Sequence, residues 1–232
     1  MTGIEFLRGA RMAAVSASLV LGLSGNAQAF GIGGYFEYGK VTGEVEFLGI
    51  DDTDFDADQY GVGVVFDTNL ARNSLFNYRG TFGYRSSEHT FETSLGDLDL
   101  DADGFEMNHL FGFGLIRTKR VRVFVGPAIR IGVDVFDTDS GTDLVNVDFG
   151  IGPEIGLNLH LARHLTVSPW AAYQYHYLVQ AVDVNGVGND TGDGYEHVVK
   201  AGISILFRSG SDQYGSSRSR TRASDRNDQT KR

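Results

Sequence analysis

From Val145 to Leu161 every second side chain is apolar: Val145, Val147, Phe149, Ile151, Pro153, Ile155, Leu157, Leu159 and Leu161. Between them stand Asn146, Asp148, Gly150, Gly152, Glu154, Gly156, Asn158 and His160. Successive side chains of a strand point to opposite faces, so this segment is a strand with one oily and one polar face. Strands of soluble sheets are usually ~5–6 residues long. A strand crossing a bilayer needs ~9–11 residues at a tilt, with its oily side toward lipid.

The same alternation recurs in eight segments: Phe30–Lys40, Asp58–Asp67, Leu75–Ser86, Phe105–Ile116, Val121–Phe136, Val145–Leu161, Leu165–Gln180 and Tyr195–Phe207. The spacers alternate in length. Thr68–Ser74, Arg117–Arg120 and Ala162–His164 are short, whereas Val41–Ala57, Ser87–Gly104, Asp137–Leu144 and Ala181–Gly194 are longer. An even number of strands with short turns on one side and longer loops on the other predicts an all-β fold, an eight-stranded antiparallel up-and-down transmembrane β-barrel. Both chain ends are then expected on the short-turn, periplasmic side.

Residues 1–29 read as a secretory signal peptide. Arg8 and Arg11 precede the apolar run Met12–Leu23, and Ala27-Gln28-Ala29 has the small-residue spacing of a cleavage site. Residues 30–208 form the expected barrel. Residues 209–232 are rich in Ser, Arg, Asp and Asn and nearly free of apolar side chains, so they are read as a basic periplasmic tail that does not fold alone. The absence of cysteine excludes disulfides and thiolate chemistry. Only three prolines beside 31 glycines suits a sheet protein with closely packed strands. No stretch after the signal approaches ~20 consecutive apolar residues, which excludes a helical anchor.

Charge sorts along the same axis. The long spacers carry acids such as Glu44, Glu46, Asp51, Asp52, Asp54 and Asp56, then Asp97, Asp99, Asp101 and Asp103. The short ones carry Arg72, Arg117, Lys119, Arg120 and Arg163. The acidic loops are either a surface for divalent cations among lipopolysaccharide phosphates, or ordinary solvated loops. Asp97–Asp103 alternates with Leu98, Leu100 and Ala102, which predicts that the fourth strand continues above the membrane, paired with Thr90–Thr93 of the third.

The inward row is expected to hold a charge network of Glu37, Arg79, Arg85, Glu106, Arg122, Arg130, Asp134, Asp148, Glu154 and Lys200. An eight-stranded barrel is only wide enough to be filled by side chains, and opposite charges buried there must pair. Asp148 and Glu154 are expected to find partners among Arg122, Arg130 and Lys200. The result is a polar plug, or a narrow ion path if a pair exchanges partners. Outward aromatics such as Phe36, Tyr38, Tyr60, Tyr84, Tyr173, Tyr175 and Tyr177 are expected at the membrane interface.

Motifs for chemistry are weak. Asp137, Asp139 and Asp143, with Gly141 between, space carboxylates as a calcium loop would but lack its closing glutamate. They are kept as weak metal candidates, beside the reading of a plain acidic turn. His109 faces outward near Ser86, Ser87 and Glu88, where a lipid-processing histidine would sit, yet no His-x-Ser spacing accompanies it. No catalytic residue, cofactor or nucleic-acid partner is expected.

The ending Lys200-Ala-Gly202-Ile-Ser-Ile205-Leu-Phe207 resembles the assembly signal of bacterial outer-membrane proteins: a polar residue, a glycine, a hydrophobe and a terminal aromatic. With the eight segments and the export signal, Phe30–Phe207 resembles the small eight-stranded outer-membrane barrels of Gram-negative bacteria, the family of the OmpA membrane domain, OmpX and the opacity-type surface proteins. The resemblance implies an integral outer-membrane protein, embedded among outer-membrane lipids and lipopolysaccharide and inserted by the barrel-assembly machinery. It leaves open an envelope-stabilising or adhesin-like surface role toward an unidentified external partner, a narrow porin-like channel, or a lipid A-modifying enzyme.

Overall fold

The computed structural model describes residues 30–47, 50–68, 75–93, 96–118, 120–136, 143–183 and 189–209. They form eight strands: β1 (Phe30–Phe47), β2 (Ile50–Thr68), β3 (Phe76–Thr93), β4 (Gly96–Arg117), β5 (Val121–Phe136), β6 (Asp143–Ala162), β7 (Leu165–Asp183) and β8 (Asn189–Ser209). Each pairs antiparallel with the next, and β8 closes on β1, so the sheet is a barrel without free edges. The signal and cleavage residues Ala27 and Ala29 lie outside the described residues, as do Asp137, Asp139 and the tail from residue 210. Asp143 is described only as the backbone that opens β6 opposite Asp183.

The register fixes the tilt. Stepping from Tyr35 through Gly63, Gly83, Glu106, Gly132, Asp148, Leu178 and Gly194 returns to β1 at Val45, ten residues farther along. Ten residues of stagger over eight strands set the strands about 40° off the barrel axis. At that tilt ~9–11 residues cross a bilayer, yet the strands run from 16 to 22 residues. They project beyond any lipid band at the long-loop end.

This corrects the sequence boundaries. Val41–Phe47 and Ile50–Ala57, expected within a loop, extend β1 and β2, whereas the expected continuation of the fourth strand is present, with Asp97 and Asp99 of β4 opposite Glu92 and Thr90 of β3. The alternation continues there with carboxylates outside. Val41, Val45, Phe55, Ala57, Phe91 and Ala102 remain buried inward, while Glu92, Asp97, Asp99, Asp101 and Asp103 line the outside of the β3–β4 ladder. Gly96 opens β4 at a φ of 122°, a conformation that disfavours any side chain, and Thr93 Oγ1 donates to its carbonyl at 2.5 Å. At the opposite end, Thr118 closes the β4–β5 turn with a backbone bond to Val121 of 2.8 Å, and residues 163–164 turn β6 into β7.

The outside is oily. Ile32, Phe36, Val62, Val64, Phe82, Phe105, Ile151, Ile155, Ile203, Ile205 and Phe207 are all exposed. A water-exposed apolar surface this extensive would aggregate, whereas lipid solvates it. Where the band ends, tyrosines donate to carboxylates on neighbouring strands: Tyr38 to Asp58 at 2.5 Å, Tyr84 to Asp103 at 2.5 Å, Tyr177 to Asp193 at 3.1 Å, and Tyr195 to Glu44. Each ring sits in the apolar band with its hydroxyl turned to the polar collar, as interfacial tyrosines do.

Candidate functional site

All ten side chains of the expected charge network are buried in the lumen. They separate into layers. Nearest the short turns, Asp67 accepts from Arg79 Nε at 3.0 Å and Nη2 at 2.9 Å, and Arg79 also donates to Asn158 at 2.8 Å. The Arg79 guanidinium lies 4.6 Å from the centre of the Phe124 ring, so its face is covered as well as its edge. Arg122 donates to Asn77 at 3.2 Å, and Asn77 to Asp67 at 3.3 Å.

Above this layer, Lys200 Nζ and Arg130 Nη2 converge on Glu37 Oε1, each at 3.0 Å. Glu106 pairs with Arg130 and lies 3.4 Å from Lys200, while the Tyr35 hydroxyl donates to it at 3.2 Å. Arg85 bridges strands farther up: its Nε donates to Asp134 at 2.6 Å, and its Nη2 pairs with both Asp134 and Asp148. Six strands thereby share one ionic core.

The pairings differ from the sequence expectation. Asp148 meets Arg85 and His176 in place of Arg122, Arg130 or Lys200. Among the described residues Glu154 meets no cation within salt-bridge distance, and it accepts from Asn108 at 3.0 Å. Side chains on different strands meet through the barrel's stagger, so spacing along the chain does not give the pairing.

Two groups of residues were missed. Asp67 and Glu196 are buried acids in phase with Val65 and Lys200, a signal present in the alternation. Above the ionic core, Val41, Val45, Phe55, Ala57, Phe91, Ala102, Phe136, Leu144, Leu178 and Val198 form an apolar cluster that fills the long-loop end of the lumen. The lumen is therefore a polar plug under an apolar cap, not a polar plug throughout. His89 is packed in the cap against Phe55, Phe91 and Phe136, with ring centres 5.5, 5.9 and 4.9 Å away. It stands above the lipid band, since Glu88 and Thr90 flank it on the outside of β3, and burial pushes its pKa down to about 4.

The remaining expected residues are scattered. His109 faces outward and stacks on Tyr78, whose hydroxyl lies 2.6 Å from its Nδ1. Ser87 turns inward to His89 at 2.9 Å, and Glu88 is exposed opposite Asp101 of β4. Lys200 of the expected assembly signal lies inside, whereas Ile205 and Phe207 lie on the lipid side. Gly202 leaves room for the Trp170 ring, which a Cβ there would meet at 2.5 Å.

Outside, across β8, β1, β2 and β3 above the lipid band, lies an acidic hollow of about 490 Å³ lined by Glu44, Asp54, Asp56, Glu92, Tyr195 and His197. Beside it Lys40 pairs with Asp58 at 3.2 Å. The Asp58 carboxyl is held below its ordinary pKa by the Tyr38 hydroxyl and by Lys40, and Asp58 in turn raises that of Lys40. The collar is uneven: Asp103 of β4 faces Val135 of β5 in register, and the outer row of β5 stays apolar to its end.

No protein-family model matches the sequence, and no curated protein matches it. Solved structures do. The outer membrane protein OprG from Pseudomonas aeruginosa superposes with a TM-score of 0.62 at 11% identity, covering 80% of this chain and 97% of that one. By fold, the chain is an eight-stranded antiparallel up-and-down β-barrel like that of OprG. Neisserial surface protein A is also similar, at 15% identity and a TM-score of 0.41 over 75% of this chain and 97% of its own. So is Ail, the attachment invasion locus protein of Yersinia pestis, at 13% identity and 0.36 over 76% and 99%. At these identities the likeness concerns the barrel alone, and its role must be argued from its own side chains.

Proposed function

We propose that this barrel is a non-enzymatic, sealed outer-membrane protein whose acidic collar binds cationic groups at the cell surface, stabilising the envelope or holding an external partner. The observation that carries this reading is the acidic hollow formed by Glu44, Asp54, Asp56 and Glu92 outside the apolar band. Carboxylates at that height meet lipopolysaccharide phosphates, and a divalent cation bridges the two like charges. The packing of the lumen supports the same reading, because among the described residues an apolar cap stands above a paired ionic core. The reading also takes residues 1–29 as an export signal removed after Ala29, the ending through Phe207 as recognised by the assembly machinery, and the basic tail as periplasmic.

The test neutralises the hollow with Glu44→Gln, Asp54→Asn, Asp56→Asn and Glu92→Gln in one chain. Mg²⁺-dependent binding of the folded barrel to lipopolysaccharide vesicles is expected to fall at least tenfold, while heat-modifiable gel migration stays unchanged. Binding as strong as that of the parent would overturn the collar reading. Discrete conductance in a planar bilayer would overturn the seal, and an altered lipid A mass spectrum on overexpression would overturn the non-enzymatic reading.

A further inference from the structure

The ionic core contains an unbalanced corner. Toward the short turns, among the described residues, Arg79, Arg122 and Arg208 stand with Asp67 and Glu154. In the layers above, among the described residues, Arg85, Arg130 and Lys200 face Glu37, Glu106, Asp134, Asp148 and Glu196. Three cations against five carboxylates leave two negative charges without compensation, in a place where an unpaired charge is expensive.

The excess collects at His176. Its Nδ1 lies 3.0 Å from Asp148 Oδ1 and 3.0 Å from Glu196 Oε1, and all three donor atoms fall within 4.8 Å of one another. His176 and Asp148 are both fully buried, and neither Nδ1 nor Oδ1 has a partner in hydrogen-bonding geometry. The second oxygen of Asp148 is occupied by Arg85, so Oδ1 is the one left to point into the corner.

A chain of hydrogen bonds runs below the ring. Asn108 Nδ2 donates to Glu154 at 3.0 Å. Asn108 Oδ1 then accepts from Gln174 Nε2 at 3.3 Å, which leaves Gln174 Oε1 to accept from His176 Nε2–H at 3.4 Å. With Nε2 hydrogen-bonded to Gln174, the ring's other nitrogen, Nδ1, is the one placed between the two carboxylates. One imidazole nitrogen and two carboxylate oxygens converging on one point describe the surroundings of a divalent cation.

We infer that Asp148, His176 and Glu196 bind a divalent first-row transition-metal ion, of which Zn²⁺ is the simplest probe. An ion ~2.0–2.2 Å from each ligand holds neighbouring ligand atoms roughly 3.0–3.5 Å apart, which matches the two 3.0 Å edges. One imidazole and two carboxylates suit such an ion better than Mg²⁺ or Ca²⁺, which take oxygen ligands alone. Gln174 supplies the acceptor that a metal-bound histidine requires on its other nitrogen. Gly150 clears the space: a Cβ there would strike the His176 ring. The ion joins β6, β7 and β8 beneath the apolar cap.

Because the cap covers the site, the full chain is refolded from urea into detergent with Zn²⁺ present, passed through gel filtration and analysed for metal. One tightly held Zn²⁺ per barrel is expected, not displaced by excess Mg²⁺. His176→Gln and Glu196→Gln are each expected to lose it while keeping heat-modifiable migration. Absence of stoichiometric Zn²⁺ in the parent, or its full retention in folded His176→Gln, overturns the site. Should both variants fail to fold, the parent decides: refolded Co²⁺ protein showing the visible absorption of a nitrogen-ligated ion upholds the assignment, and a spectrum of hydrated Co²⁺ overturns it.

Discussion

The two halves of the lumen solve the burial of charge differently. Near the short turns, Arg79 is enclosed by Asp67, Asn158 and the Phe124 ring, and Asn77 links Arg122 to Asp67. Near the long loops, Arg85 alone holds Asp134 and Asp148, Glu196 collects beside His176, and an apolar cluster closes the space above. The first arrangement spreads each charge over several partners. The second concentrates carboxylates on a few cations, so the loss of one cation exposes several acids at once.

The sharpest way to break that contrast is Arg85→Met. It leaves Asp134 and Asp148 without their shared partner, and the barrel is expected to lose about 3–5 kcal/mol, read as a lower urea midpoint for unfolding in detergent. His89→Phe sharpens the contrast through pH. The ordinary histidine value is 6.5 and the buried ring titrates near 4, so between those values the unfolded chain binds a proton that the barrel does not. Stability contributed at this position therefore falls as pH falls from about 6.5 to about 4, by roughly 3 kcal/mol. His89→Phe is expected to remove that slope while changing little at pH 7.5, measured by urea titrations across the range.

Asp67→Asn probes the short-turn half. Arg79 keeps Asn158 and the face of Phe124, so the loss is expected at about 1–3 kcal/mol, below that of Arg85→Met; an equal or larger loss would erase the distinction between the halves. The smallest effect belongs outside the lumen. Lys40→Gln removes the exposed pair with Asp58, and no measurable change in the unfolding midpoint is expected, because water and salt screen a surface pair.

Much of the barrel is legible in the chain because a strand in lipid has few options. The alternation at Val145–Leu161 must present one face to hydrocarbon, and eight such runs with unequal spacers leave few ways to close. Reading stopped short where the solvent changed. At Glu44–Val45 and Asp54–Ala57 the outer residues become acidic, so the segments look like loops, although their inner residues continue the strand pattern into the cap. Aspartates and glutamates were also easy to place on the inner face and hard to pair. Arg85, Asp134 and Asp148 stand on β3, β5 and β6, 49 and 63 residues apart along the chain.

The sequence by itself determined which side chains face lipid and which face inward, because the period of two is a local property of the backbone and the bilayer admits only closed strand assemblies. Only the tertiary structure decided who meets whom inside. The ten-residue stagger of the closed barrel slides each strand against the next, and that slide, invisible in any one strand, brings Asp148, His176 and Glu196 to one corner and leaves Glu154 to Asn108.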